Sequence, residues 1–222
     1  MSDQSRPSSG LPDLGGRFIS VEGGDGAGKS TQIQRLAETL REQGCNVVVT
    51  REPGGSPGAE AIRDLLVKGS ADRWSPMTEA LLMFAARRDH LEKTILPALK
   101  GDAVVISDRY VDSSIAYQGY AGGLGAETIA ALGLVAIDGH LPDLTLIIDV
   151  SAQEGLARAQ TQNGEGRFED KGDDYQARVR AAFLEIAAAA PERCIVIDGN
   201  GDIDMVHERV IDAVARHFGD GR

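Results

Sequence analysis

"FISVEGGDGAGKSTQ", residues 18–32, opens as an apolar run and breaks into glycines before Gly28-Lys29-Ser30-Thr31. The spacing Gly23-x-x-x-x-Gly28-Lys29-Ser30 is the phosphate-binding loop pattern. Glycines let the backbone turn close to an anion, and successive N–H groups then point inward at the head of the next helix. In that pattern Gly23, Gly24, Gly26, Ala27, Gly28, Lys29, Ser30 and Thr31 surround a bound phosphate. Lys29 reaches the terminal phosphates and the Ser30 hydroxyl ligates Mg²⁺. The flanks supply the context the pattern needs. Phe18 to Val21 is strand-like, and from Gln32 onward Ile33, Leu36, Ala37 and Leu40 share one helical face. A dinucleotide loop lacks the Lys-Ser found here, and no Asn-Lys-x-Asp guanine reader occurs in the sequence.

Outward from the loop, short apolar runs recur: Val47 to Val49, Ala103 to Ile106, Leu144 to Ile148 and Cys194 to Ile197. Segments of helical spacing lie between them: Gln32 to Glu42, Glu79 to Lys100, Glu127 to Asp138, Ser151 to Gln160, Asp174 to Ala190 and Met205 to Phe218. Continuous apolar strands alternating with helices predict an α/β fold, a five-stranded parallel sheet covered on both faces. Ligands bind such sheets beyond the carboxyl ends of the strands. That rule selects Gly23 to Ser30, Thr50 to Ser56, Asp108 to Gln118, Asp149, and Asp198 to Gly201.

The bulk numbers narrow the function. The 222 residues fit one domain, with a formal charge of −11 from 34 acidic and 23 basic residues. An acidic balance argues against a nucleic-acid polymer as partner, and any phosphate site must be a local positive island. The two cysteines, Cys45 and Cys194, read as reduced structural thiols. No apolar run approaches the roughly 20 residues of a membrane span. Residues 1–16, rich in Ser, Pro and Gly, read as a flexible tail, residues 17–218 as the domain, and 219–222 as a second tail. The cytoplasm follows as the expected compartment. Histidines 90, 140, 207 and 217 show no metal-ligand spacing.

Two further windows carry chemistry. In "TREPGGSPGAEAIRDLL" Arg51 stands on a Gly- and Pro-rich turn at the ligand edge. In "SDRYVDSSIAYQGY" Asp108 ends an apolar strand, where it can orient Mg²⁺ or its waters, and Arg109 can hold a phosphate in its guanidinium fork. With "EALLMFAARRDH" (79–90), "PDLTLIIDV" (142–150) and "GRFE" (166–169), these stretches closely resemble the thymidylate kinases from about Arg17 to Phe218. The resemblance implies the phosphate-loop fold of nucleoside-monophosphate kinases with a mobile lid (about 157–174), ATP-dependent phosphorylation of dTMP, and a homodimer. It implies that Arg51 and Arg109 grip the dTMP phosphate and that Asp25 accepts from the sugar 3′-OH. It also implies that Arg87 bonds the thymine carbonyl, with Ser113, Ser114 and Gln118 around the base edge. Tyr117 would crowd the 2′ position, and Arg158 would lie along the adenine, near Gly199 to Gly201. In the family an aromatic stands four residues before the base-binding arginine. Phe84 is the candidate for that face, with Met83 the alternative, since Met83 is the fourth residue counting back from Arg87.

The charge balance poses a further question. ATP carries about −4 and dTMP about −2, against +2 for one Mg²⁺. The loop's own cation is Lys29 alone. The family divides into members with an arginine in the loop and members with arginines in the lid, and Gly26 puts this chain with the second kind. Its lid, "ARAQTQNGEGRFEDKGDD", has Gln160 and Gln162 where a relative has arginines, leaving Arg158, Arg167 and Lys171. Arg167, in the GRFE match, is the expected catalytic cation.

Overall fold

In a computed structural model, residues 11–70, 72–151 and 173–219 are described. Five parallel strands, β1 (Phe18–Glu22), β2 (Val47–Arg51), β3 (Val104–Asp108), β4 (Leu144–Asp149) and β5 (Cys194–Asp198), form one sheet in the order β2-β3-β1-β4-β5. The predicted strands are all present, each running to a polar or charged residue at its carboxyl end: Glu22, Arg51, Asp108, Asp149 and Asp198. β1 is central, with Phe18 level with Val105 of β3 and Ile19 level with Leu144 of β4. All its residues are buried, including Ser20 and Glu22.

Strand side chains alternate between faces. Ile19, Val21, Val104, Ile106, Leu144 and Leu146 therefore join one core with α1 (Lys29–Glu42) and α8 (Ile203–Gly219), which supply Ile33, Leu36, Leu40, Val210 and Val214. Phe18 and Val105 face the other way, onto α3 (Pro76–His90), its continuation Leu91–Ile95 and α4 (Leu96–Lys100), and α6 (Ala126–Ile137). Ile147 packs with Val179 and Phe183 of α7 (Asp173–Ala189). A fully buried leucine such as Leu40 contributes about 1.5–3 kcal/mol.

Several expectations are corrected. Residues 11–16 do not behave as tail: Leu14 is fully buried in the core, Leu11 packs against it, and the Leu11 N–H donates to Gln43 Oε1 at 3.1 Å. Pro57–Val67, absent from the segments of helical spacing, forms a further helix, α2. Its start has a readable cause: the Ser56 hydroxyl accepts from Ala59 N–H at 3.3 Å, and Pro57 occupies the first turn. The helix expected from Glu79 begins at Pro76 behind a Ser75 cap, and turns π-helical over Leu91–Ile95. The segment after β3 is also helical: α5 (Val111–Ser114) runs into a π-helical stretch, Ile115–Ala121. The expected helix from Ser151 to Gln160 lies, beyond Ser151, outside the described residues. So do the lid positions Arg158, Gln160, Gln162, Arg167 and Lys171. The described part of that region resumes with α7 at Asp173.

Candidate active site

The loop between β1 and α1 adopts the conformation its glycines allow. Gly23, Gly26 and Gly28 have φ of 136°, 72° and 89°, in the range L side chains rarely enter. Gly23 has a second reason to be glycine, since a Cβ there would collide with the Ile148 carbonyl oxygen of β4. No side chain caps α1 and no acid lies in its first turn, so the positive end of the helix faces the loop unopposed. Lys29 is 8 % exposed and donates back to the carbonyls of Gly23 (3.2 Å) and Gly24 (2.8 Å). Burial and the neighbouring Arg109 bring its pKa down to about 8, against the opposing pull of Asp108, Asp25 and Glu22.

The Asp-Arg pair after β3 sits on an unusual backbone. Arg109 has φ 70°, a left-handed conformation costly for a side chain with a Cβ. Three bonds hold it: Arg109 N–H to Val21 O (3.0 Å), Ser107 Oγ–H to Arg109 O (2.7 Å) and Tyr110 N–H to Glu22 Oε1 (2.7 Å). The turn aims the guanidinium across the sheet edge, where it donates to Asp25 Oδ1 (2.6 Å), Gly23 O (3.0 Å) and Ser113 Oγ (3.1 Å). Burial pushes the Asp25 carboxyl up, but Arg109 and Lys29 outweigh it and hold the carboxyl below the usual range.

Under this turn lies a buried acid that spacing alone does not single out. Glu22 also accepts from Ser113 Oγ (2.6 Å), and burial together with the Asp112 charge pushes its pKa up to about 7. Asp112, fully buried, is itself gripped in bidentate fashion by Arg193 at 2.6 and 2.9 Å. That pairing satisfies Asp112 without drawing on Arg109.

Beside Arg109 is a cavity of about 180 Å³ lined by Asp25, Arg87, Arg109, Ser113, Ser114, Tyr117 and Gln118. Seven expected substrate residues from three separate stretches thus share one space. Glu52, Pro53, Arg63, Val67, Met83 and Tyr110 complete it. Arg87 is 2 % exposed and donates to Glu52 Oε2 (2.7 Å), Ser114 Oγ (3.1 Å) and Tyr110 O (3.0 Å). A guanidinium has more donors than these three bonds use. Gln118 is fixed by its Nε2–H bond to Glu79 Oε1 at 2.9 Å. Tyr117 is backed edge-to-face by Tyr175 and Phe183.

Two expected residues fall elsewhere. Phe84 is 4 % exposed in the core with Ala80 and Leu91, its ring against the Arg87 guanidinium at 4.7 Å, and the cavity wall is Met83 instead. One helix position is about 100° of rotation, so Met83 and Arg87, four apart, share a face that Phe84 leaves. Arg51 is exposed, pairs with Glu60 at 3.3 Å, and lines a neighbouring groove of about 500 Å³ with Ser30 and Asp108. Arg63 is the missed cation. It reaches the cavity from α2, with its guanidinium on Pro53 O at 2.6 Å, and was hidden because α2 was not read as a helix.

The Ser30 hydroxyl donates to Asp108 Oδ2 at 3.3 Å, while Asp108 Oδ1 is buried with no hydrogen-bond partner among the described residues. A hydroxyl and an unsatisfied carboxylate oxygen side by side fit a hard divalent cation such as Mg²⁺, which takes oxygen ligands. Cys45 and Cys194 are both unpaired thiols, and burial pushes Cys194 up to about 12, as expected of an inert one. Among the described residues no helix is long and apolar enough to cross a membrane.

Comparison with known proteins agrees with this geometry. The sequence model of the family described as "Thymidylate kinase" matches residues 21–210. The chain is 56 % identical over 204 residues to the thymidylate kinase of Caulobacter vibrioides, covering 92 % of this chain and 98 % of that one. It is 52 % identical over 204 residues to that of Ruegeria pomeroyi, covering 91 % and 96 %. The crystal structure of thymidylate kinase from Ehrlichia chaffeensis superposes with a TM-score of 0.74 at 38 % identity, covering 89 % of this chain and 98 % of that one.

Proposed function

The chain belongs to the thymidylate kinase family, and from that premise we propose how its residues share the reaction, ATP-dependent phosphorylation of dTMP to dTDP. An oxygen of the dTMP phosphate attacks the γ-phosphorus, the bond to the β-phosphate bridging oxygen breaks, and ADP leaves. The attacking oxygen is largely ionised near neutrality, so no general base is needed. The work is positioning and charge.

The observation that carries this division is the convergence of Asp25, Arg87, Arg109 and Gln118 on one cavity beside the phosphate loop. Arg109 turns from Asp25 to the acceptor phosphate, joined by Arg51 and Arg63, and Asp25 accepts from the sugar 3′-OH. Arg87 and Gln118 bond the base, Ser113 and Ser114 fix the wall, and Met83 lies on the ring face, being flexible and polarizable. Lys29 and the loop amides hold the ATP phosphates. Ser30 and Asp108 hold Mg²⁺, which when bound offsets the phosphate charge. Arg158 serves the adenine and Arg167 the transferring phosphoryl, both outside the described residues.

The test is coupled ADP release with dTMP, dUMP, dCMP, dGMP and UMP, with magnesium present and chelated. dTMP should be fastest, UMP far slower because Tyr117 crowds a 2′-OH, and chelation should stop turnover. Equal rates with dTMP and dCMP would sink the base assignment. ATP consumption independent of any monophosphate would point instead to a nucleotide-sensing protein.

We also propose a homodimer. Leu134 and Val135 on α6 are 77 % and 81 % exposed, with Met77 and Leu81 on α3, which packs against α6. Large apolar side chains exposed on two helices that pack together are what an interface between copies would cover. Sedimentation equilibrium should give twice the chain mass, and a monomer at micromolar concentration overturns it. We place the enzyme in the cytoplasm with its nucleotide substrates, which cell fractionation checks.

A further inference from the structure

His90 is fully buried, far from solvent and one helical turn beyond Arg87. Its Nδ1 lies 3.0 Å from Glu52 Oε1 and its Nε2 lies 2.6 Å from Thr50 Oγ1. The other oxygen of Glu52 takes the Arg87 Nε–H at 2.7 Å. The four side chains therefore form one chain across the cavity wall: Thr50, His90, Glu52, Arg87. Beside a carboxylate the ring donates from Nδ1, which leaves Nε2 to accept from the Thr50 hydroxyl. Packing closes on the ring too, since a Cβ on Gly55 would collide with His90 Nε2.

We infer that His90 is a positioning residue for base recognition, acting through Glu52 to hold the Arg87 guanidinium in its reading orientation. This rests on the reading of Arg87 as the thymine contact. A carboxylate bonded only to Arg87 could pivot about its own χ angles. A second bond to the opposite oxygen fixes its plane, and with it the plane of the guanidinium. Other bonds also dock α3 and its continuation on the β2–α2 turn: Ser56 Oγ–H to Asp89 Oδ2 (2.6 Å) and Thr94 Oγ1–H to Gly55 O (2.6 Å). His90 thus links to the site by a route separate from the one that holds the walls together.

The test compares His90→Leu, His90→Asn and His90→Gln by the KM for dTMP, the KM for ATP, kcat, and the dTMP-to-dCMP ratio of kcat/KM. Arg87 acts on the base in ground and transition states alike, so its misalignment should appear in KM. His90→Leu should raise the KM for dTMP about tenfold and narrow the base preference, as losses behind a contact residue commonly do. kcat and the KM for ATP should hold. Asn presents an amide where Nδ1 stands and should restore the preference, whereas Gln reaches toward Thr50 and should not. A purely structural histidine would lower the active fraction without moving either KM or the ratio. Unchanged dTMP KM and preference in His90→Leu overturns the inference. If that variant does not fold, equal behaviour of Asn and Gln overturns it. Arg87→Ala separates the two levels. If it leaves the base preference intact, the reading of Arg87 is wrong; if it abolishes the preference while His90→Leu does not, only the inference fails.

Discussion

Lys29→Ala should lose on the order of 10³ or more in kcat while the protein stays folded. Lys29 is the one cation within Gly23 to Ser30, and its ammonium is positioned before any ligand arrives by the carbonyls of Gly23 and Gly24. The side chain is buried, but its partners are loop carbonyls rather than core atoms, so a thermal melt should shift by only a few degrees. Single-turnover rates at saturating ATP would check the loss, and near-normal kcat would mean the loop is not used as proposed. Its pKa of about 8 adds a pH signature. Above that pH the free protein carries a neutral lysine, and ATP phosphates favour the charged form. ATP binding at pH 9 should therefore take up a proton, and ATP affinity should fall as pH rises past 8. On stability the sign is opposite: the unfolded chain holds the proton up to the ordinary lysine range, so this group's contribution improves as pH climbs from about 8 toward 10.5.

Arg167→Ala should lose on the order of 10²–10³ in kcat with the KM for ATP changed only several-fold. Arg87 is committed to Glu52, Arg193 to Asp112 and Arg180 to Asp149, and the proposed reading gives Arg109, Arg51 and Arg63 to the acceptor. In the proposed reading Lys29 serves the donor phosphates. A cation over the phosphoryl in flight must come from elsewhere, and Gly26 supplies none. Restoring charge by Gly26→Arg should rescue only part of the loss. Gly26 has φ 72°, and a side chain there carries a left-handed penalty of about 1–2 kcal/mol. A full-rate Arg167→Ala enzyme would give the role to Arg158 or Lys171, or show that no such cation is needed.

The sheet and the loop could be read from the sequence because their signals are local. A buried parallel strand is a short apolar run, and a phosphate loop is glycines at fixed spacing before Lys-Ser. The Asp-Arg pair was legible for the same reason, as polar residues where an apolar strand stops. What was not legible depends on rotation or distance. Met83 and Phe84 differ by one helix position, and sequence leaves open which of them faces the base. Arg63 was lost with its helix, although Ser56-Pro57 was a readable start. Arg193 stands just before β5 and meets Asp112 because β5 lies against β4, a fact of strand order that no spacing encodes. Glu22 and His90 lie behind the residues of the cavity and its turn, and neither belongs to a recognisable pattern.

Strand order also sets when the site can exist. Gly23 rests on the Ile148 carbonyl, and the Glu22–Asp112 pair needs Arg193 to balance it. At roughly 5–20 residues per second, the ribosome finishes the loop about ten seconds before it makes the strand beneath it. The emerging N-terminal segment carries an ATP-binding sequence without an ATP-binding shape. Until then the loop lacks the strand that Gly23 approaches and the cation that pairs with Asp112. The full surroundings of the loop are a property of the nearly complete chain.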